Sequence, residues 1–283
     1  MKIKNITIGS DPEGWIVNKL TGEPTPITGL LKGSKGEPIS FLPGYGYQED
    51  NCSWEFNIPP CKTKEQFIDT FSAALEELES VLDEYILRIT PSIEFDSSLL
   101  TEKSQVEIGC SEDFNAYTYD VETIPNLAIT GKRFAGGHIH IGYNNPNWEK
   151  SVLLCKHFDV YLGLLAVLLD NDTERKAIYG TPGRHRIKDY GIEYRTLSNF
   201  WIKSPELIAL IWDQAIAAIK NCNEIGTLIE MFSEEVTNAI ILDDKDLALN
   251  LITTLKVIDL DKLNLFINKQ VNNKEYVSAE CEC

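Results

Sequence analysis

The sequence predicts an α+β fold, a mainly antiparallel sheet flanked by helices. Three observations carry this. Short segments of alternating polarity are separated by glycine and proline. Helical periodicity is confined to a few longer segments. The two kinds of segment follow one another without the regular strand–helix repeat that a parallel sheet needs. No internal repeat, low-complexity block or linker divides the chain. One domain is therefore expected over residues 1–271, with a flexible tail over 272–283.

Residues 2–8 alternate polar and apolar side chains; Gly9 and Pro12 interrupt, and Trp15, Ile16 and Val17 resume the pattern. This reads as a strand carrying Asp11 and Glu13, followed by a turn at 19–22. Residues 21–47 are rich in glycine and proline and read as loops and short strands. Residues 53–58 form a strand closed by Pro59 and Pro60. Thr63 and Gln66 make a capping box. The helix it opens has Phe67, Phe71, Leu75, Leu78 and Leu82 at helical spacing and runs to about Ile89. Residues 90–130 are mixed and turn-rich. A strand over 133–143 is entered through Gly136 and Gly137. A second long helix spans 148–170; Lys156, His157 and Asp159 mark it as a buried helix rather than a membrane span. A polar loop, 171–183, leads into strand character over 184–197. Ser204, Pro205 and Glu206 supply an N-cap, an N1 proline and an acidic first turn, so a third helix runs to about Cys222. Two shorter helical segments follow.

With 43% apolar residues the chain can bury a sizeable core. Its net charge of -17 argues against general nucleic-acid or membrane-surface binding, both of which need a basic footprint. The opening MKIKNITIGSDPEG lacks the apolar core of a signal peptide. The seven cysteines include no CxxC pair. A cytoplasmic protein with free thiols is expected. The terminal CEC reads as part of the tail.

Four polar clusters stand out. Asp11 and Glu13 share one face of the first strand. Glu55 and Asn57 share a face of the strand over 53–58, while Trp54, Phe56 and Ile58 share the other; Asp50 precedes them. His138 and His140, half of the four histidines, share a face behind two glycines. The window 174–195 holds six of the 26 basic residues, Arg175, Lys176, Arg184, Arg186, Lys188 and Arg195, with Glu193 among them. Two imidazoles so placed suit a metal, or a metal and a phosphate. Arginine forks suit phosphate oxygens. Hard carboxylates, a histidine and an arginine group describe Mg²⁺ and polyphosphate better than zinc hydrolysis. Neither a Walker loop nor GxGxxG is present.

The order and company of GSDPEGWIV, EDNCSWEFNIPP, GGHIHIGY and YGTPGRHRIKDYGIEYRTLSNFW resemble the glutamine synthetase and glutamate–cysteine ligase superfamily. More closely they resemble the phage-encoded COOH–NH2 ligase (amidoligase) family. The likeness spans residues 9 to about 201. It implies a curved antiparallel sheet forming a funnel, with ATP and Mg²⁺ or Mn²⁺ as cofactors. It implies that Asp11, Glu13, Glu55, His138 and Glu193 are metal ligands. It places His140, Asn57, Lys188 and Arg195 at the nucleotide, and Arg184, Arg186 and Arg195 at the reacting phosphoryl and acyl phosphate. The glycines before His138 would leave room for the nucleotide. The first strand reads Asp-Pro-Glu where such ligases often carry two glutamates, and no arginine stands directly ahead of Glu193. Asp50 stands in for a second glutamate near Glu55.

The implied reaction joins a small-molecule or peptide carboxylate to an amine through an acyl phosphate, in the host cytoplasm if the gene is a phage's. No enzyme nucleophile is needed, in keeping with the lack of a Ser-His or Cys-His signature. Oligomerisation is open. Two other readings are a metal-dependent hydrolase using the histidine pair and a non-catalytic binding or structural protein on the same fold.

Overall fold

The computed structural model describes residues 2–34, 36–101, 113–122, 131–272 and 276–277. In chain order its elements begin with β1 (Thr7–Asn18), β2 (Pro24–Thr25), β3 (Ile39–Ser40), β4 (Gly46–Asp50), β5 (Ser53–Asn57), α1 (Lys64–Val81), β6 (Tyr85–Ile89) and β7 (Ser92–Glu94). They continue with β8 (Asp113–Asn115), β9 (Val121–Glu122), β10 (Lys132–Phe134), β11 (Gly137–Gly142), α2 (Trp148–Leu169), α3 (Thr173–Ile178), β12 (Arg184–Lys188) and β13 (Gly191–Tyr194). Helices α4 (Pro205–Ile225), α5 (Ser233–Ile241), α6 (Lys245–Thr254) and α7 (Leu260–Asn272) follow, then β14 (Tyr276–Val277).

The fold is α+β, and the sheet is open and antiparallel, as expected. Its main path runs β3-β4-β5-β1-β11-β13-β12-β8-β9, and β7 and β10 pair separately. β1 is the spine. It pairs with β11 from Thr7 to Pro12, with β5 at Glu13 and Gly14, and with β6 from Trp15 to Asn18. The interruption expected at Gly9 and Pro12 does not occur. Pro12 has no N–H for a ladder, but it sits at the last pairing with β11, where β1 changes partner.

Four expected boundaries are corrected. α1 stops at Val81, not near Ile89; Tyr85–Ile89 is β6 on the spine. Its sequence YILRI is aromatic and β-branched, and pairing with β1 overrides the helical spacing of the leucines before it. The strand expected over 133–143 divides into β10 and β11, because Phe134 pairs with β7 while Gly137 pairs with β1. The segment 184–197 is a hairpin of β12 and β13 rather than one strand. Among the described residues, three helices, not two, follow α4. The expected N-caps are present. Thr63 accepts the Gln66 N–H at 3.2 Å, and Ser204 accepts that of Leu207 at 3.3 Å. Of the segment 272–283, the described residues include only the end of α7 and β14, which pairs with β6; CEC lies outside them, as do 102–112 and 123–130.

The helices cover one face of the sheet. Phe56 of β5 meets Phe71 of α1 edge-on at 5.7 Å, and Phe67 stacks on Trp201 at 6.1 Å. Phe158 of α2 lies 5.3 Å from Tyr194 of β13. Each fully buried aromatic contributes about 1.5–3 kcal/mol. α2 is apolar and long enough to span a bilayer, but it is packed inside the fold, with a π-helical turn at Asp159–Gly163. The described cysteines Cys52, Cys61, Cys155 and Cys222 are buried thiols.

Candidate functional site

With apolar side chains taken by the helices, the polar members of each strand face the other way. Cross-strand register then gathers them. Asp11 lies opposite His138, Glu13 opposite Glu55, and Glu55 opposite Gln48. His140 lies opposite Glu193, and Glu193 opposite Arg186. A cavity of about 360 Å³ opens over this row. Of the expected site residues, Asp11, Glu13, Glu55, Asn57, His138, Arg186, Lys188, Glu193 and Arg195 line it. His140 lines a neighbouring chamber of about 310 Å³, which shares Asn57 with the first and is bordered by Thr7, Ile58, Pro60 and Tyr190. Arg184 is set back, almost fully buried, 3.7 Å from both Asp113 and Glu122.

Among the described residues, two groups have the spacing of a cation site. Ligand atoms of Asp11, His140 and Glu193 all lie within 4.8 Å of one another, and so do those of Glu13, Asp50 and Glu55. Asp11 Oδ1 stands 3.0 Å from His140 Nε2 and 3.3 Å from His138 Nδ1. Asp11 Oδ1 and His140 Nε2 are buried and make no aligned hydrogen bond. Burial would raise the Asp11 carboxyl, but the charge of His140 and the closeness of both imidazoles hold it well below the usual range. Burial would lower His140, and Asp11 beside it raises it instead.

The basic side chains surround Glu193. Lys188 Nζ is 2.7 Å from one carboxylate oxygen, Arg186 Nη1 is 3.2 Å from the other, and Arg195 donates to that second oxygen. Burial and the Asp11 charge push Glu193 up; Arg195 and the two histidines outweigh them and bring it down to about 2. Asp113 is the second counter-charge, 2.8 Å from Arg186 Nε and 3.1 Å from Arg195 Nε.

The histidines differ. His138 is enclosed, and its Nδ1 is 3.2 Å from Arg195 Nη1. Arginine has no acceptor, so that nitrogen accepts. The glycines expected to leave room for a nucleotide are filled by the protein itself. A Cβ at Gly136 would overlap the His138 ring, and one at Gly137 would overlap the Ser198 carbonyl and Trp201.

Sequence reasoning missed Asp113, Gln48 and Tyr190. Gln48 Nε2 donates to Glu55 at 2.8 Å, and the Tyr190 hydroxyl bonds His140 Nδ1. Asp113 sits on a three-residue strand, too short for alternation to show, and Tyr190 lies in the β12–β13 turn. For Gln48, the alternation of 46–50 was the available signal.

Fold and charged face together define an α+β protein with a cleft of carboxylates, imidazoles and guanidinium groups on an antiparallel sheet. Residues 126–279, more than half of the chain, match the family described as Phage phiEco32-like COOH.NH2 ligase-type 2, and the protein belongs to that family. By family it is a carboxylate–amine ligase. The match includes β11 and β13 with His138, His140 and Glu193; Asp11, Glu13 and Glu55 precede it. No curated protein matches the chain.

Proposed function

We propose that the protein is an ATP- and Mg²⁺-dependent carboxylate–amine ligase that works through an acyl phosphate. The observation that supports it best is the meeting, on one sheet face, of two carboxylate-rich cation groups with Arg186, Lys188 and Arg195. The donors fit a hard cation: five carboxylates and one imidazole, with Asp11 Oδ1 and His140 Nε2 buried and without an aligned hydrogen bond. Asp11, His140 and Glu193 would hold one ion and Glu13, Asp50 and Glu55 another. This reading exchanges the histidine roles implied by the resemblance. His140 turns a nitrogen to the cation group, and His138 is occupied by Arg195. Bound Mg²⁺ would neutralise phosphate charge.

Arg186, Arg195 and Lys188 face the same space and would hold the oxygens of the transferring phosphoryl group. A substrate carboxylate oxygen attacks the γ-phosphorus of ATP, and the bond to ADP breaks. The amine nitrogen then attacks the acyl carbon, phosphate leaves, and the nitrogen gives up a proton. The chamber beside His140, which has no carboxylate, lysine or arginine among its described lining residues, suits the uncharged nucleoside. Acid and amine are small molecules or peptides.

The test is thermal unfolding with ATP, with and without Mg²⁺, together with ADP release on adding candidate acids and amines. A Mg²⁺-dependent rise in Tm with millimolar ATP is expected. No such shift would sink the proposal.

A further inference from the structure

We propose that Tyr190 is a positioning residue: its hydroxyl fixes the tautomer of His140 and so aims Nε2 at the cation group. The inference rests on the reading of His140 as a cation ligand, and it adds a residue from outside the ligand set.

The geometry is specific. The Tyr190 hydroxyl bonds directly to His140 Nδ1, while Nε2 on the other side of the ring is 3.0 Å from Asp11. The two rings stack, with centroids 5.9 Å apart and planes inclined by 26°. The backbone holds this arrangement. The Tyr190 carbonyl accepts the Tyr143 N–H at 2.9 Å, just beyond the end of β11. Gly191 has φ of 154°, and a Cβ there would overlap the Ile141 carbonyl, so the turn is pressed against β11. The β12–β13 turn thus sets Tyr190 over His140.

A neutral imidazole carries one proton. A nitrogen that holds a cation must be bare, so the proton belongs on Nδ1 and needs an acceptor. Tyr190 Oη is that acceptor, and its own hydrogen remains free to turn toward the adjoining chamber. Without Oη, the proton moves to Nε2 and bonds Asp11, which closes both ligand atoms to a cation. Partners that orient a ligating histidine typically change metal affinity by about 10–100-fold.

Tyr190→Phe keeps the stacked ring and removes only the oxygen. Mn²⁺ binding to the full chain, without nucleotide, is followed by electron paramagnetic resonance for wild type, Tyr190→Phe and His140→Gln. Ring tautomers are read in parallel from long-range ¹H–¹⁵N spectra of the metal-free chain at alkaline pH, where the imidazole is neutral; with four histidines in the chain, His140→Gln assigns the signal. The expected result is loss of a Mn²⁺ site in His140→Gln. Tyr190→Phe should weaken that site by about 10–100-fold and shift the His140 proton from Nδ1 toward Nε2. If His140→Gln loses the site and Tyr190→Phe binds as wild type, the ligand reading stands and the inference about Tyr190 falls. If Tyr190→Phe weakens binding with the tautomer unchanged, the residue acts by packing and the inference again falls. If His140→Gln binds as wild type, both are overturned.

Discussion

Asp113→Asn tests whether the arginine group depends on a counter-charge that is hidden in the sequence. Asparagine keeps the shape and one oxygen acceptor but removes the negative charge among Arg184, Arg186 and Arg195. Asp113 is only 1% exposed, so water cannot replace it cheaply. Removing one partner of a buried ion pair costs about 3–5 kcal/mol. Glu193 remains beside Arg186 at 3.2 Å and also bonds Arg195, so these cations are not left alone. The expected loss therefore lies at the lower end, about 3 kcal/mol. In urea, with a slope of about 3 kcal/mol per molar, the midpoint should fall by about 1 M. The missing charge should also be replaceable from outside. Inorganic tripolyphosphate should raise the Tm of Asp113→Asn by more than that of wild type, because the variant offers it a larger uncompensated positive charge. A midpoint shift below about 0.3 M at unchanged slope would refute the counter-charge argument. An equal tripolyphosphate shift in both proteins would do the same.

Two further outcomes follow from packing and burial. A methyl group at Gly14 would overlap the Trp54 ring, which is fully buried and tied through Nε1 to the Trp15 carbonyl at 2.9 Å. Gly14→Ala should destabilise by about 1–3 kcal/mol in equilibrium denaturation, and a neutral result would contradict the packing of β1 against β5. Asp159, buried in the π-helical turn of α2, is pushed by desolvation from its ordinary 3.8 up to about 7, against the pull of its hydrogen bond from Tyr194. Folding thus favours its protonated form. Its contribution is full below about pH 4 and is lost as pH rises through about 7, on the order of 4 kcal/mol in all. Asp159→Asn should abolish that decline, and stability measured at several pH values across the window checks it; an unchanged slope would refute the assignment.

Much of the fold was legible because side-chain period reports face. Trp54 and Phe56 against Glu55 and Asn57, or Ile139 and Ile141 against the histidines, separate core from cleft without any knowledge of neighbours. Caps were legible for the same local reason. The overrun of α1 shows the limit. Leu75, Leu78 and Leu82 set a helical spacing, whereas Leu87 and Ile89 are buried in a strand that pairs with β1. That partner is distant in sequence, and local pattern carries no trace of it.

The same limit applies to the histidine pair. Period two says that His138 and His140 share a face, and on that ground alone they are equivalent. Register makes them unequal. His138 falls opposite Asp11 and beneath Gly136, with Arg195 against its Nδ1, and its side chain is 4% exposed. His140 falls opposite Gly9 on one side and Glu193 on the other. The absent side chain of Gly9 and the turn that carries Tyr190 leave its ring 21% exposed, between the charged cavity and the neutral chamber. On the proposed reading, the imidazole held by a guanidinium orients its neighbours, and the one whose nitrogen faces two carboxylates takes the cation. The assignment of roles thus depends on which strand lies alongside, a property of the sheet and not of the HxH motif.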